Sequence, residues 1–122
     1  MKVAVTAYGK DLSSKVDRSF GRAKWIIVVD TETGAFEAHD NKQNVNLPQG
    51  AGIQAGQNVA SLEVEAVLTG NVGPNAFRIL STASIKAFIV DKSIETVEDA
   101  LSEWKVGRLE EATGATVEGH WI

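Results

Sequence analysis

The chain has 122 residues and a net charge of −4, enough sequence for one domain with its own core. That balance, with no block of five like charges, excludes a general attraction to nucleic acid or to an anionic membrane, and no run approaches the ~18 apolar residues of a membrane helix. Cysteine is absent, which excludes disulfides, thiolate chemistry and any iron–sulfur cluster held by protein thiolates.

Val3-Ala4-Val5-Thr6-Ala7 reads as a short buried strand entered directly from Met1, with no leader-like region before it. A single cytoplasmic domain over 1–122 is therefore expected. A polar stretch from Tyr8 to Lys15 leads towards Trp25-Ile26-Ile27-Val28-Val29, a β-branched apolar run expected in the middle of a sheet. Asp30 to Gly34 is a turn, and Ala35 to Asp40 alternates as the returning strand of a hairpin at a sheet edge. After a polar loop, Asn41 to Gln49, a helix is expected from Ala51. Its polar positions are Gln54, Gln57, Asn58 and Ser61, and its small face is Ala55, Gly56, Val59 and Ala60, suited to close approach to a sheet. Glu65 to Thr69 is the next strand. Pro74 opens a second helix with a buried stripe of Ala76, Ile79, Leu80 and Ala83. Ile85 to Val90 is the last clear strand. Thr96 and Asp99 resemble a capping box for a third helix, with Val97, Ala100, Leu101 and Trp104 on its apolar face and Gly107 at its end. Arg108 to Ile122 shows no period and reads as an extended tail.

The order β-β-β-α-β-α-β-α predicts an α/β fold with one hairpin and two right-handed crossovers. Pairing the first strand with the fourth gives five strands in the order 3-2-1-4-5, with only strand 2 antiparallel. It also places a switch point between the carboxyl ends of Val3–Ala7 and Ala66–Thr69, where ligands of open α/β sheets bind.

Gly50-Ala51-Gly52-Ile53-Gln54-Ala55 fits the dinucleotide fingerprint in letters only: no strand precedes it directly, and no acidic residue lies about 20 positions on. Thr69-Gly70-Asn71-Val72-Gly73-Pro74-Asn75 is a strand end, a glycine-flanked turn and a helix start, where free backbone N–H groups favour an anion. No serine lies in a nucleophile elbow, and Asp17 and Asp40 are the carboxylates best placed for a hydrolase. No spacing demands that they converge on a metal.

With Phe20-Gly21-Arg22-Ala23, Ile85-Lys86-Ala87 and Gly119-His120-Trp121, these two glycine motifs resemble the dinitrogenase iron–molybdenum cofactor biosynthesis family over nearly the whole chain. The resemblance implies a ribonuclease-H-like three-layer fold. It also implies a non-catalytic carrier for the iron–molybdenum cofactor, an iron–sulfur precursor or a related small anion. The expected cofactor-binding residues are Thr69, Gly70, Asn71, Gly73, Asn75, Gly50, Gly52 and Ser19. Ser19 stands where nitrogenase-linked members carry a histidine before Phe-Gly, and Gln49 where stand-alone relatives often carry another. A regulatory or scaffolding module acting through a protein partner is the alternative.

Of the two histidines, His39 falls in the expected edge strand. His120 lies on the tail, which from Gly107 could span roughly 40 Å. Docked by Trp121 and Ile122, the tail would make His120 the expected metal ligand, its imidazole mostly neutral at pH 7.

Overall fold

In the computed structural model, which describes residues 1–41 and 51–114, side-chain alternation along the inner strands sorts the core into two faces. Strand β1 (Lys2–Ala7) sends Ala4 to one face and Val3, Val5 and Ala7 to the other. Strand β2 (Trp25–Asp30) splits Ile26 and Val28 from Ile27 and Val29, and β4 (Ala66–Thr69) splits Val67 from Ala66 and Leu68. Helices α1 (Ala51–Ala60) and α2 (Pro74–Thr82) cover the first face through Ala55, Val59, Ala76 and Leu80. Helix α3 (Val97–Lys105) covers the second through Val97, Ala100 and Leu101. Both faces of the sheet are thus covered by helices, which is why its central strands are nearly continuous apolar runs.

With β3 (Phe36–Asp40), β5 (Lys86–Ile89) and β6 (Glu110–Glu111), the strand order is 3-2-1-4-5-6. The expected pairing of β1 with β4 is present and parallel, with Val3 opposite Ala66 and Val5 opposite Leu68. Two expectations are corrected. The sheet has six strands, and β6 as well as β2 runs antiparallel, pairing Phe88 with Glu111 and Ile89 with Glu110. This edge was hidden inside the supposed tail because Glu110 and Glu111 are both exposed and show no apolar alternation. Their pairing rests on backbone hydrogen bonds, including Ala112 N–H to the Ala87 carbonyl at 2.8 Å.

The helix ends follow local chemistry. Thr96 Oγ1 accepts from the Asp99 amide at 3.2 Å, capping α3. At its other end Gly107 takes φ +75°, with Arg108 N–H to Glu103 C=O at 2.9 Å and Gly107 N–H to Trp104 C=O at 3.0 Å, a Schellman motif. Helix α2 closes in the same way but with Ser84 at φ +61°. Ala83, expected in its buried stripe, is the exposed C-cap. Gly56 faces α2 instead of the sheet: a Cβ there would meet Ile79 Cγ2 at 3.1 Å. The small face of α1 therefore serves close helix–helix packing as well as the sheet.

Candidate functional site

The carboxyl ends of β1 and β4 each finish near a threonine, Thr6 and Thr69, both fully buried. Their hydroxyl oxygens lie 2.7 Å apart, and Thr6 Oγ1 is 2.6 Å from the Asp17 carbonyl oxygen. One hydroxyl hydrogen serves one acceptor, so Thr6 donates to Asp17 and accepts from Thr69. This pair is the polar floor of the expected switch point.

The switch point is not an open crevice. The segment Val16–Phe20 lies across it, bridged to β1 through Ala7 and Val16 and to the β4–α2 turn through Ser19 and Asn71. Asp17 N–H donates to the Thr6 carbonyl at 2.9 Å, and Phe20 N–H to the Asn71 carbonyl at 3.4 Å. Gly70 allows the close approach. A Cβ at that position would sit 2.5 Å from Arg18 Cβ, 2.7 Å from its Cα and 2.8 Å from its carbonyl oxygen. Neither Gly70 nor Gly73 has positive φ; Gly73 is the N-cap of α2 at φ −81°, ψ 171°.

Asp17 is 6% exposed. Burial pushes its carboxyl above the ordinary carboxylate range, while the Ser19 amide and the charge of Lys24 pull it back. The Ser19 N–H donates to its Oδ1 at 3.0 Å. Arg18 donates to the Val90 carbonyl at the end of β5. Its charge contributes to holding the Asp91 carboxyl below the usual range, an effect due first to hydrogen bonds from Ser93. Lys10 Nζ stands 4.9 Å from the Trp25 ring centroid, over the end of β2 that pairs with Ala7.

The expected site residues divide accordingly. Ser19 and Asn71 are brought together, half-buried, with Asn71 Nδ2 donating to the Arg18 carbonyl at 3.4 Å. Thr69 is buried beneath them. Gly73, the N-cap of α2, makes no side-chain cap hydrogen bond. Asn75 is exposed and its Oδ1 accepts from Arg78 at 3.1 Å. Gly52 is buried in the first turn of α1. Gly50 and His120 lie outside the described residues. His39 sits on β3 at the sheet edge, 3.4 Å from Glu37. Among the described residues no group of three or more His, Asp or Glu could hold a metal ion. Asp17 is tied down within the bridging segment, and Asp40 lies at the exposed end of β3 opposite Trp25.

Sequence reasoning missed the cations. Residues 8–24 carry Lys10, Lys15, Arg18, Arg22 and Lys24 against Asp11 and the buried Asp17, leaving seven Lys and Arg against fourteen Asp and Glu elsewhere. A charge count in a sliding window would have found them; the whole-chain balance conceals them. This basic stretch crosses the carboxyl end of the sheet, where α1 and α2 also begin.

The fold is shared with known proteins. The apo form of the orange protein from Desulfovibrio gigas superposes with a TM-score of 0.90 at 39% identity, over 95% of this chain and 96% of that one. A Thermotoga protein described as a candidate NifB of the DUF35 family gives 0.82 at 39% identity, over 97% and 98%. An uncharacterized protein of Methanocaldococcus jannaschii is 23% identical over 112 residues, 90% of each chain. The model of the dinitrogenase iron-molybdenum cofactor family matches residues 1–107, and the chain belongs to that family.

Proposed function

We propose that this protein is a non-catalytic carrier that seats an anionic metal–sulfur cluster, of the iron–molybdenum or iron–sulfur precursor type, on the basic rim at the carboxyl end of its sheet. The observation that carries the reading is the concentration of five Lys and Arg in residues 8–24 of an acidic chain. The N-terminus of α2, whose N-cap Gly73 contributes no side chain, adds a weaker pull of about 0.3–1 kcal/mol. Ser19, Gly70, Asn71, Gly73 and Asn75 would form the contact surface, with Gly52 at the start of α1 and, from outside the described residues, Gly50 and a tail ligand, His120, as contributors. Thr69 acts beneath, by holding Thr6 and through it Asp17. The family membership and the existence of an apo form of the orange protein support a bound group. The 3-2-1-4-5 core with its antiparallel strand 2 also fits the ribonuclease-H-like arrangement, a likeness of fold that implies no hydrolysis.

The test is anaerobic mixing with extracted iron–molybdenum cofactor, then gel filtration and metal analysis. Comparison with Lys10→Glu/Lys24→Glu measures the electrostatic part. Reversing one charge about 10 Å from a dianion through water costs about 1.7 kcal/mol, a loss of more than tenfold per site. Cofactor retention unchanged by the double reversal, or no retention by the parent protein, refutes the carrier reading. The second outcome leaves the scaffolding alternative.

A further inference from the structure

Strand β3 lies at one side of the sheet, and among the described residues no strand pairs with its outer edge. Two hydrogen bonds beyond its ends fix which backbone groups face that edge. Asp30 N–H donates to the Ala35 carbonyl at 2.9 Å, and Asn41 N–H to the Lys24 carbonyl at 2.8 Å. Both continue the register in which Val28 faces Glu37 and Ile26 faces His39. Along an antiparallel ladder, alternate residues turn their N–H and C=O to the same neighbour. Glu37 and His39 therefore bond to β2, and Phe36 and Ala38 turn their backbone groups outward. We propose that this edge pairs with the same edge of a second copy of the chain, antiparallel about a twofold axis at Ala38.

Charge complementarity selects that partner. A twofold axis at Ala38 sets Glu37 opposite the partner's His39 and His39 opposite the partner's Glu37. Moving the axis one residue either way sets Glu37 against Glu37 or His39 against His39. The Ala38-centred register is the one that joins unlike groups, and it also opposes all 5 residues of the strand. Glu37 and His39 share one face of β3, 3.4 Å apart, with side chains 78% and 37% exposed. An imidazole N–H donates to a carboxylate whether or not the ring is charged. The two contacts would be non-hydrogen-bonded cross-strand pairs, in which side chains come closest. On the other face Phe36, 41% exposed, would lie diagonal to the partner's Ala38. The lysine, proline or bulge that usually blunts an open edge is missing from Phe36–Asp40. So short a strand makes a small interface, and the dimer is a weak one.

Sedimentation velocity on the whole chain, from micromolar to millimolar concentration, reads the association. The parent protein should shift reversibly from monomer to dimer. Ala38→Pro removes an outward N–H and leaves the bonds to β2 in place, so it should keep the parent's circular dichroism and stay monomeric. Glu37→Lys opposes lysine to histidine, and His39→Glu opposes glutamate to glutamate; each should weaken dimerisation about tenfold. Mixing the two variants opposes lysine to glutamate and histidine to glutamate, so heterodimers should form at least as readily as the parent dimer. A parent protein that stays monomeric throughout, an Ala38→Pro protein that dimerises like the parent, or a mixture no more associated than its components overturns the proposal.

Discussion

Replacing Gly70 by alanine adds a single methyl group, yet the structure leaves it no room. The new Cβ would lie 2.5 Å from Arg18 Cβ, 2.7 Å from Arg18 Cα and 2.8 Å from the Arg18 carbonyl oxygen. Two of these atoms are backbone, so a rotamer change cannot relieve the clash. Reaching an ordinary contact of about 3.5 Å means moving the bridging segment outward by most of an ångström. That segment is held by Asp17 N–H to Thr6 at 2.9 Å and by the Ser19–Asn71 bridge. Overpacking of this kind costs about 1–3 kcal/mol, and the upper half is expected because the obstacle is main chain. For a domain of this size, each kcal/mol lowers Tm by about 3–5 °C, so Gly70→Ala should melt about 6–15 °C below the parent protein. Circular dichroism measures this directly. Gly114→Ala is the control: nothing lies within 4 Å of its Cβ and its φ is not positive, so it should stay within about 0.5 kcal/mol. A Gly70→Ala protein melting within about 2 °C of the parent would show that the segment yields freely, and the reasoning fails.

Burial raises the Asp17 pKa in the folded chain above its ordinary 3.8. Between the unfolded and folded values the folded chain holds a proton the unfolded chain has lost, so stability falls as pH rises through that window and stays lower at neutral pH. Asp17→Asn, which keeps an acceptor for the Ser19 amide, should melt at or above the parent temperature at pH 7 and show a flatter dependence above pH ~4; a lower Tm at pH 7 refutes the assignment. Ser84 occupies the left-handed position that closes α2, at φ +61°. Ser84→Gly should therefore stabilise by about 0.5–1 kcal/mol, a rise of a few degrees by calorimetry, and a fall in Tm would contradict it.

Strong alternation and clean helix punctuation made most of the fold legible. Val3 to Ala7, Trp25 to Val29 and the Thr96–Gly107 helix are where the sequence places them, because burial on two faces and end-capping act through neighbouring residues. What escaped depends on distant partners. Glu110 and Glu111 form a strand because β5 has an open edge, not because of their own pattern. At Gly70 a glycine in this turn is expected either to take φ > 0 or to press backbone against the crevice, and the second holds; that the close neighbour is Arg18, fifty-two positions earlier, depends on the fold. Asp17 stands out in the sequence as a carboxylate near the switch point, but its burial follows only from its segment crossing the ends of β1 and β4.

The charge distribution has the same logic and bears most on function. The base of the sheet, where Lys2 pairs with Asp30, carries Glu32 and Glu65 nearby. The basic rim lies at the other end of β1, six residues away, or about 20 Å of extended chain. At physiological salt the screening length is about 8 Å. Acidic groups at the base are therefore screened from the rim, where the cations are opposed instead by Asp40, Asp91, Glu95 and Glu98 at the same end of the sheet. The same screening makes the interaction salt-sensitive. Cofactor retention should weaken steadily between about 0.05 and 0.5 M salt, where the screening length drops to a few ångströms. The Lys10→Glu/Lys24→Glu protein should show a shallower decline, because it has less favourable potential to lose.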